Sequence, residues 1–305
     1  MTSREPAMPA PRRIDAATGL VLLLGVLWGS SWPLFNVALR ELSVWTFRGL
    51  AVLGAGLLLL TIAKLSKIPL AVPRASWPAL VGAALGTISV WYVAATASVL
   101  FIPSGQASIL GYTMPLWAAL MAVLLFGERP TPRLLLALAF GAGTVVLLAI
   151  PNLRALSDAP SGIACALIAA IGWAAGTLIQ KRSNWRGTHP LTLTAWQMTV
   201  GAVPILIGAA ISSDWRPFVP SWPVLLTAIH LTIVPTALGT LVWFRIVHLL
   251  PANTAAVSTI IVPVIAMAGG AWAHGEPLGP WQLGALGCCV AALALALLKP
   301  SARRG

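Results

Sequence analysis

The chain has 305 residues, of which 58% are hydrophobic and only 9% are charged, and its formal net charge is +12. So few charged side chains could not furnish the surface of a soluble domain, and runs of 18 or more apolar residues recur, which is typical of a membrane protein. The basic residues lie between the apolar runs and not on one soluble face, so the composition does not favour nucleic-acid binding.

In chain order, the apolar runs predict ten membrane-spanning helices, each with about the 20 residues that a helix needs to cross a bilayer. The connections between them are short, and no soluble domain is inserted. The predicted spans are Ala17–Leu39, Val44–Ala63, Ser76–Ser98, Ser104–Phe126, Pro132–Ile150, Pro160–Lys181, Pro190–Ile211, Ser221–Val247, Ala252–Ala273 and Gly279–Leu298.

The distribution of Lys and Arg predicts the orientation of these spans. With the N-terminus inside, fourteen of the nineteen basic residues fall on the cytoplasmic side and three fall in outer loops. Cytoplasmic loops of membrane proteins carry the excess of Lys and Arg. Both ends of the chain, residues 1–16 and 299–305, are therefore expected to be cytoplasmic, with the protein in the inner (plasma) membrane of a bacterium.

The sequence of the fourth predicted span is similar to that of the ninth. Ser104–Arg129 (SGQASILGYTMPLWAALMAVLLFGER) resembles the segment Ala252–Pro277, 148 positions on. A duplicated half predicts two repeats, residues 17–150 and 160–298, with five spans each. Because five is an odd number, the second repeat should cross the membrane in the inverted sense, with a central cavity between the repeats. The aligned identities include Pro115 with Pro263, Gly127 with Gly275 and Glu128 with Glu276.

Several motifs resemble the drug/metabolite transporter superfamily, in particular its EamA-type exporters. They are LLGVLWGSSWP in the first span, TFRGL after Trp45, GERPT after the fourth span, AAIGWAAGTLIQKR in the sixth and HGEPLGP after the ninth. The resemblance implies ten helices in a basket around a central cavity and export of amino acids or related metabolites; aromatic amino acid exporters of the YddG type are such members. His274 departs from the family pattern without putting the fold in doubt.

Polar and aromatic side chains recur within the spans at intervals of three or four residues, which places each set on one helix face. Such faces avoid lipid and should turn inward, although hydrogen bonding and packing between helices are an alternative role for each Ser or Thr. Aromatic rings deep in the spans favour a cavity. The predicted substrate-binding residues are Trp28, Ser31, Tyr92, Ser108, Tyr112, Trp173, Thr177, Gln180, His230, Thr240, Trp243 and Ser258.

Prolines and charges within spans suggest further roles. Pro115 and Pro263 each remove a backbone hydrogen bond at the same repeat position, so we predict hinges there, with static bends as the alternative. Arg48 and Arg245 lie near span ends, where a long side chain either snorkels to water or meets an anionic substrate group. His230 either carries a proton or packs as a hydrogen-bonded histidine.

The sequence has no carboxylate deep in a predicted span, so transport driven by the substrate gradient alone is expected over proton coupling. No HExxH, GxSxG or paired aspartates occur, and no enzyme activity, cofactor or metal site is predicted; Cys165, Cys288 and Cys289 are interpreted as packing residues. We predict an exporter of small organic metabolites, aromatic amino acids first, that works by alternating access. The alternatives are a carrier of drugs or nucleotide sugars, or a membrane scaffold. A monomer in contact with lipid and substrate is expected.

Overall fold

The computed structural model describes residues 10–129, 131–153, 159–212, 219–249 and 261–297. In these ranges the chain is helical and contains no strand. Two of the helical stretches, Leu85–Val90 and Thr232–Leu238, are π-helical. The α-helices are Ala10–Gly29, Ser31–Ala38, Val44–Leu65, Trp77–Ala84, Trp91–Ser98, Ser104–Gly111, Met114–Phe126, Pro132–Leu153, Ala159–Arg182, Pro190–Ser212, Trp222–Leu231, Gly239–Leu249, Ile261–His274 and Pro280–Leu297.

Seven helical stretches are long and apolar enough to cross a membrane, and three further apolar helices are shorter. Each lies at the position of one predicted span. Large apolar side chains such as Leu57, Ile211 and Trp272 are exposed on the outside of the bundle, as expected for a surface that faces lipid. The all-helical membrane fold is therefore confirmed for the described residues. The number of ten spans and the inversion of the second repeat stay predictions.

The sequence suggested that the fourth span is one helix bent at Pro115, but the structure has two helices there. Its first helix ends at Gly111 and the second begins at Met114, with Pro115 in the first turn of the second helix. Proline is well tolerated there because a first-turn amide has no partner within the helix. Pro115 therefore begins a helix in this structure. A similar break at Ser30 divides the first span.

The third and eighth spans each contain a π-helical segment near the middle. Such segments insert a residue into the helical ladder and occur often at functional sites. In the third span, Gly86 lies against the sixth span, and a Cβ atom at Gly86 would lie 2.5 Å from the carbonyl oxygen of Gly172. Only glycine permits this close approach, which brings the aromatic residues after the π-helical segment next to Trp173.

Hydrogen bonds between helix ends agree with spans that alternate in direction. The Ser221 amide donates to the Glu41 carboxylate over 2.7 Å, and the side-chain and backbone hydrogen bonds from Ser221 lower the pKa of the Glu41 carboxyl. At the opposite end, Thr192 Oγ1 donates to the carbonyl of Pro69 over 2.8 Å. Each bond joins two ends that the predicted topology puts on one side of the membrane.

Candidate substrate cavity

A cavity lies between the two halves of the chain. Its volume is about 70 Å³, which is room for a few water molecules or a small chemical group. Side chains from the first four spans form most of its wall, and the sixth and eighth spans complete it. The lining residues are Trp28, Ser31, Trp32, Phe35, Arg48, Trp91, Tyr92, Ala95, Tyr112, Met114, Trp173, Pro235 and Thr236.

Aromatic rings form a continuous wall on one side of this cavity. The ring centroids of Trp91 and Trp173 are 5.0 Å apart with 63° between the ring planes, and Trp91 contacts Tyr112 at 6.2 Å with the planes nearly perpendicular, at 87°. Trp32 adds an edge-on contact with Trp91 at 6.4 Å. These distances and angles are those that aromatic pairs prefer, so the wall holds its own shape. It would present both ring faces and ring edges to a planar ligand.

Trp28 joins the first span to the π-helical segment of the eighth span. Its Nε1 donates a 3.0 Å hydrogen bond to the carbonyl oxygen of Pro235. On its other side the Trp28 ring lies 5.9 Å from the ring of Trp243. Trp28 is thus a cavity wall and also a connection between the two halves of the chain.

Arg48 places a guanidinium group at the cavity. It lies in the first turns of helix Val44–Leu65, and only 3% of its surface is exposed. Its Nε donates to Thr96 Oγ1. The guanidinium carbon lies 4.1 Å from the centre of the Phe35 ring and 5.3 Å from that of Tyr92. Arg48 therefore turns into the protein interior and does not snorkel to water.

Five of the predicted binding residues line the cavity, namely Trp28, Ser31, Tyr92, Tyr112 and Trp173. They include all four aromatic residues on which the prediction of a cavity was based. The structure brings them together from four different spans. Their role in binding a substrate stays a prediction.

The other predicted residues that the structure describes do not line the cavity. Ser108 Oγ donates to the carbonyl oxygen of Gly105 in its own helix, and Thr240 Oγ1 donates to that of Thr236, one turn earlier in the same span. Trp243 lies behind Trp28, and Thr177 and Gln180 lie outside the lining. His230 is exposed on the surface of the bundle and does not line the cavity. Ser258 and the side chain of Arg245 lie outside the described residues.

Eight of the lining residues are not among the predicted binding residues: Trp32, Phe35, Arg48, Trp91, Ala95, Met114, Pro235 and Thr236. Trp32 and Phe35 share a helix face with Trp28, so the signal was present in the first span, and Arg48 was considered as a partner of an anionic group. Ala95 and Met114 gave no signal. Trp91 and Tyr92 are neighbours in the chain, and neighbouring residues of a regular α-helix face different directions. The preceding π-helical segment changes the register, and Trp91 and Tyr92 both reach the cavity.

The helices of the fourth and ninth spans end in the same backbone geometry. Gly127 and Gly275 adopt left-handed conformations with φ of 66° and 64°. The next amides, of Glu128 and Glu276, each donate a 3.3 Å hydrogen bond back to the last helical turn. Positive φ favours glycine at such helix ends. The side chains of Glu128 and Glu276 therefore start from equivalent backbone positions.

The two glutamate side chains have different partners. The Glu276 carboxylate accepts hydrogen bonds from the Ser104 amide (2.8 Å), Ser104 Oγ (2.6 Å) and the Gly105 amide (2.9 Å). It thereby caps helix Ser104–Gly111, whose amino end carries partial positive charge. Glu128 instead forms an exposed ion pair of 2.8 Å with Arg182.

The EamA-like transporter family matches residues 16–150 and 160–298, which is nearly all of the described structure. The chain belongs to the EamA-like transporter family. The two matched segments correspond to the two predicted repeats. The cavity draws its lining from both segments.

Curated relatives cover almost the whole chain. The chain is 28% identical to the uncharacterized transporter YvbV of Bacillus subtilis, over 93% of this chain and 92% of the relative. It is 24% identical to a probable amino-acid metabolite efflux pump of Escherichia coli (88% and 90% covered) and 26% to the uncharacterized inner membrane transporter YedA of that species (94% and 92%). A solved structure titled "Crystal structure of protein" shares the fold, with a TM-score of 0.65, 20% identity and coverage of 92% and 97%. A specific likeness to YddG-type exporters stays a prediction.

Proposed function

We propose that this EamA-family transporter exports small organic metabolites, with amino acids that carry aromatic side chains as the first candidates. The observation that carries the proposal is the aromatic cavity between the two family-matched segments. Its tryptophan and tyrosine rings suit a planar or apolar side chain, and the polar groups among them suit a charged end. The probable amino-acid metabolite efflux pumps among the relatives support the same substrate class.

We further propose that the two repeats are inverted and expose the cavity alternately to the two sides of the membrane. The capping of helix Ser104–Gly111 by Glu276 supports this proposal, because it joins the two repeats at one end of the bundle. In the predicted topology this is the periplasmic end. The structure then represents a state whose periplasmic end is closed.

Efflux from liposomes tests the proposal. The purified protein is reconstituted into liposomes loaded with L-tryptophan or L-phenylalanine, and efflux is measured against protein-free liposomes. We expect efflux down the substrate gradient that persists when a protonophore collapses the proton gradient. Efflux no faster than from protein-free liposomes, for these and for drug or nucleotide-sugar cargo, would support the scaffold alternative. Loss of transport with the protonophore would contradict the gradient-driven mechanism.

Substitutions of the cavity tryptophans test whether these residues bind the substrate. Trp173→Ala removes a ring contact of the aromatic wall, and aromatic contacts contribute about 0.5–1.5 kcal/mol, so KM should rise about 2- to 12-fold. Trp28→Ala should act likewise, whereas Trp28→Phe keeps a ring and loses only the donor to Pro235. Trp272→Ala is the matched control, because this tryptophan is 90% exposed on the apolar surface. Unchanged KM in both alanine variants would contradict a central binding site.

A further inference from the structure

Arg48 is a buried cation that has no counter-ion among the residues that the structure describes. The described residues contain one ion pair, between Arg182 and Glu128, and it lies on the surface. In that part of the chain, the Nε of Arg48 uses Thr96 Oγ1, and no acceptor is recorded for the two terminal nitrogens. These nitrogens are not sealed in the protein, since no fully enclosed side-chain nitrogen lacks a partner in the described residues. They therefore face the cavity that Arg48 lines.

Burial of an unpaired charge is unfavourable, and arginine stays protonated in proteins. The ring faces of Phe35, Phe47 and Tyr92 compensate in part through cation–π attraction, with ring centres 4.1, 4.6 and 5.3 Å from the guanidinium carbon. Rings and one hydroxyl leave the outer edge of the guanidinium fork free. That edge matches a carboxylate, which can accept two parallel hydrogen bonds from it.

The lining residues that the structure describes include no Asp or Glu. This part of the wall therefore has a net positive charge and offers no carboxylate to an ammonium group. The same cavity is also lined by the aromatic residues Trp91, Tyr112 and Trp173. A ligand that fits both features has a carboxylate at one end and a planar apolar body at the other.

We propose that Arg48 binds the carboxylate of the transported molecule, and that the site requires the carboxylate but not an α-ammonium group. This inference rests on the proposed export function and narrows its substrate class to aromatic carboxylates. Amino acids are one subset, and deaminated acids of the same shape should bind at least as well. Aromatic amines without a carboxylate should be excluded, because they would put a second cation beside Arg48.

Three ligands that each have one phenyl ring but differ in charge test the proposed substrate class on the wild-type protein. Binding of radiolabelled L-phenylalanine to the full-length protein in detergent is competed with 3-phenylpropanoate, unlabelled L-phenylalanine and 2-phenylethylamine. We expect 3-phenylpropanoate to displace the label at least as well as L-phenylalanine, and 2-phenylethylamine to fail at the same concentrations. Displacement by the amine as strong as by the acid would overturn the inference.

Variants of Arg48 test whether this residue binds the carboxylate. Loss of a charge-assisted hydrogen-bonded pair should raise the Kd for L-phenylalanine about 10- to 100-fold in Arg48→Gln. Arg48→Lys keeps the charge but loses the planar fork, so its Kd should be intermediate. Arg74→Gln is the control, because Arg74 is exposed at the start of the short 3-10 helix Arg74–Ser76 and does not line the cavity. The lysine variant and the wild-type ligand series give the answer even if Arg48→Gln fails to fold.

The outcomes separate this inference from the proposed function. Wild-type efflux of L-phenylalanine together with unchanged binding in Arg48→Gln overturns the role of Arg48 and leaves the exporter proposal standing. Absence of wild-type binding by both aromatic acids, together with absence of efflux, overturns both proposals.

Discussion

Glu128 and Glu276 occupy the same place in the two repeats, and their side chains have opposite surroundings. Both follow a left-handed glycine and return a 3.3 Å hydrogen bond to the preceding helical turn. Glu276 then crosses to the other repeat and accepts three hydrogen bonds at the start of helix Ser104–Gly111. Glu128 remains exposed beside Arg182. The same Gly-Glu sequence with the same backbone geometry therefore forms different tertiary contacts in the two repeats.

This difference teaches how a duplicated chain could exist in two states. If the repeats are inverted, the two glutamates lie at opposite membrane faces, and a contact formed at one face has an equivalent at the other. We propose that the Glu276 contact closes the periplasmic end in this structure. In the opposite state, the Glu276 contact would open.

Replacement of Glu276 should give the larger effect of the two glutamates. Glu276→Gln removes the charge and one of the acceptor oxygens, so two backbone donors and a hydroxyl lose charge-assisted hydrogen bonds. We expect the free energy of unfolding to fall by about 1–3 kcal/mol, and the protein to shift toward the state open to the periplasm. Thermal unfolding in detergent measures the first effect. Glu276→Asp keeps the charge and should lose less stability.

Replacement of Glu128 should give the smaller effect in the same assay. Its ion pair with Arg182 is about half exposed on both sides, with side-chain exposures of 57% and 45%. Exposed ion pairs contribute about 0–1 kcal/mol and are screened by salt. Glu128→Gln and Arg182→Gln should therefore unfold close to the wild-type temperature. Equal destabilisation by Glu128→Gln and Glu276→Gln would contradict the prediction that the Glu276 contact is the more stabilising of the two.

Much of the fold followed from the sequence because the spans are long and apolar, and each predicted span has an apolar helix at its position. The cavity aromatics were found because rings deep in a span do not belong to the interfacial belt. Helix breaks and π-helical segments could not be predicted, because their backbone is fixed by contacts such as that of Gly86 with Gly172. Arg48 remained ambiguous because its depth depends on the tertiary surroundings of its helix. The surface position of His230 could not be predicted for the same reason.

The central claim is that the cavity between the repeats holds the transported molecule, and substrate protection of Ser31→Cys tests it most directly. The background protein has Cys165, Cys288 and Cys289 replaced by alanine, and alkylation of the single cysteine is followed with and without L-phenylalanine. Ser31 lines the cavity and Thr177 does not, so Thr177→Cys serves as the paired control. We predict that L-phenylalanine slows alkylation of Ser31→Cys and leaves that of Thr177→Cys unchanged. Equal alkylation rates of Ser31→Cys with and without saturating ligand would contradict the account.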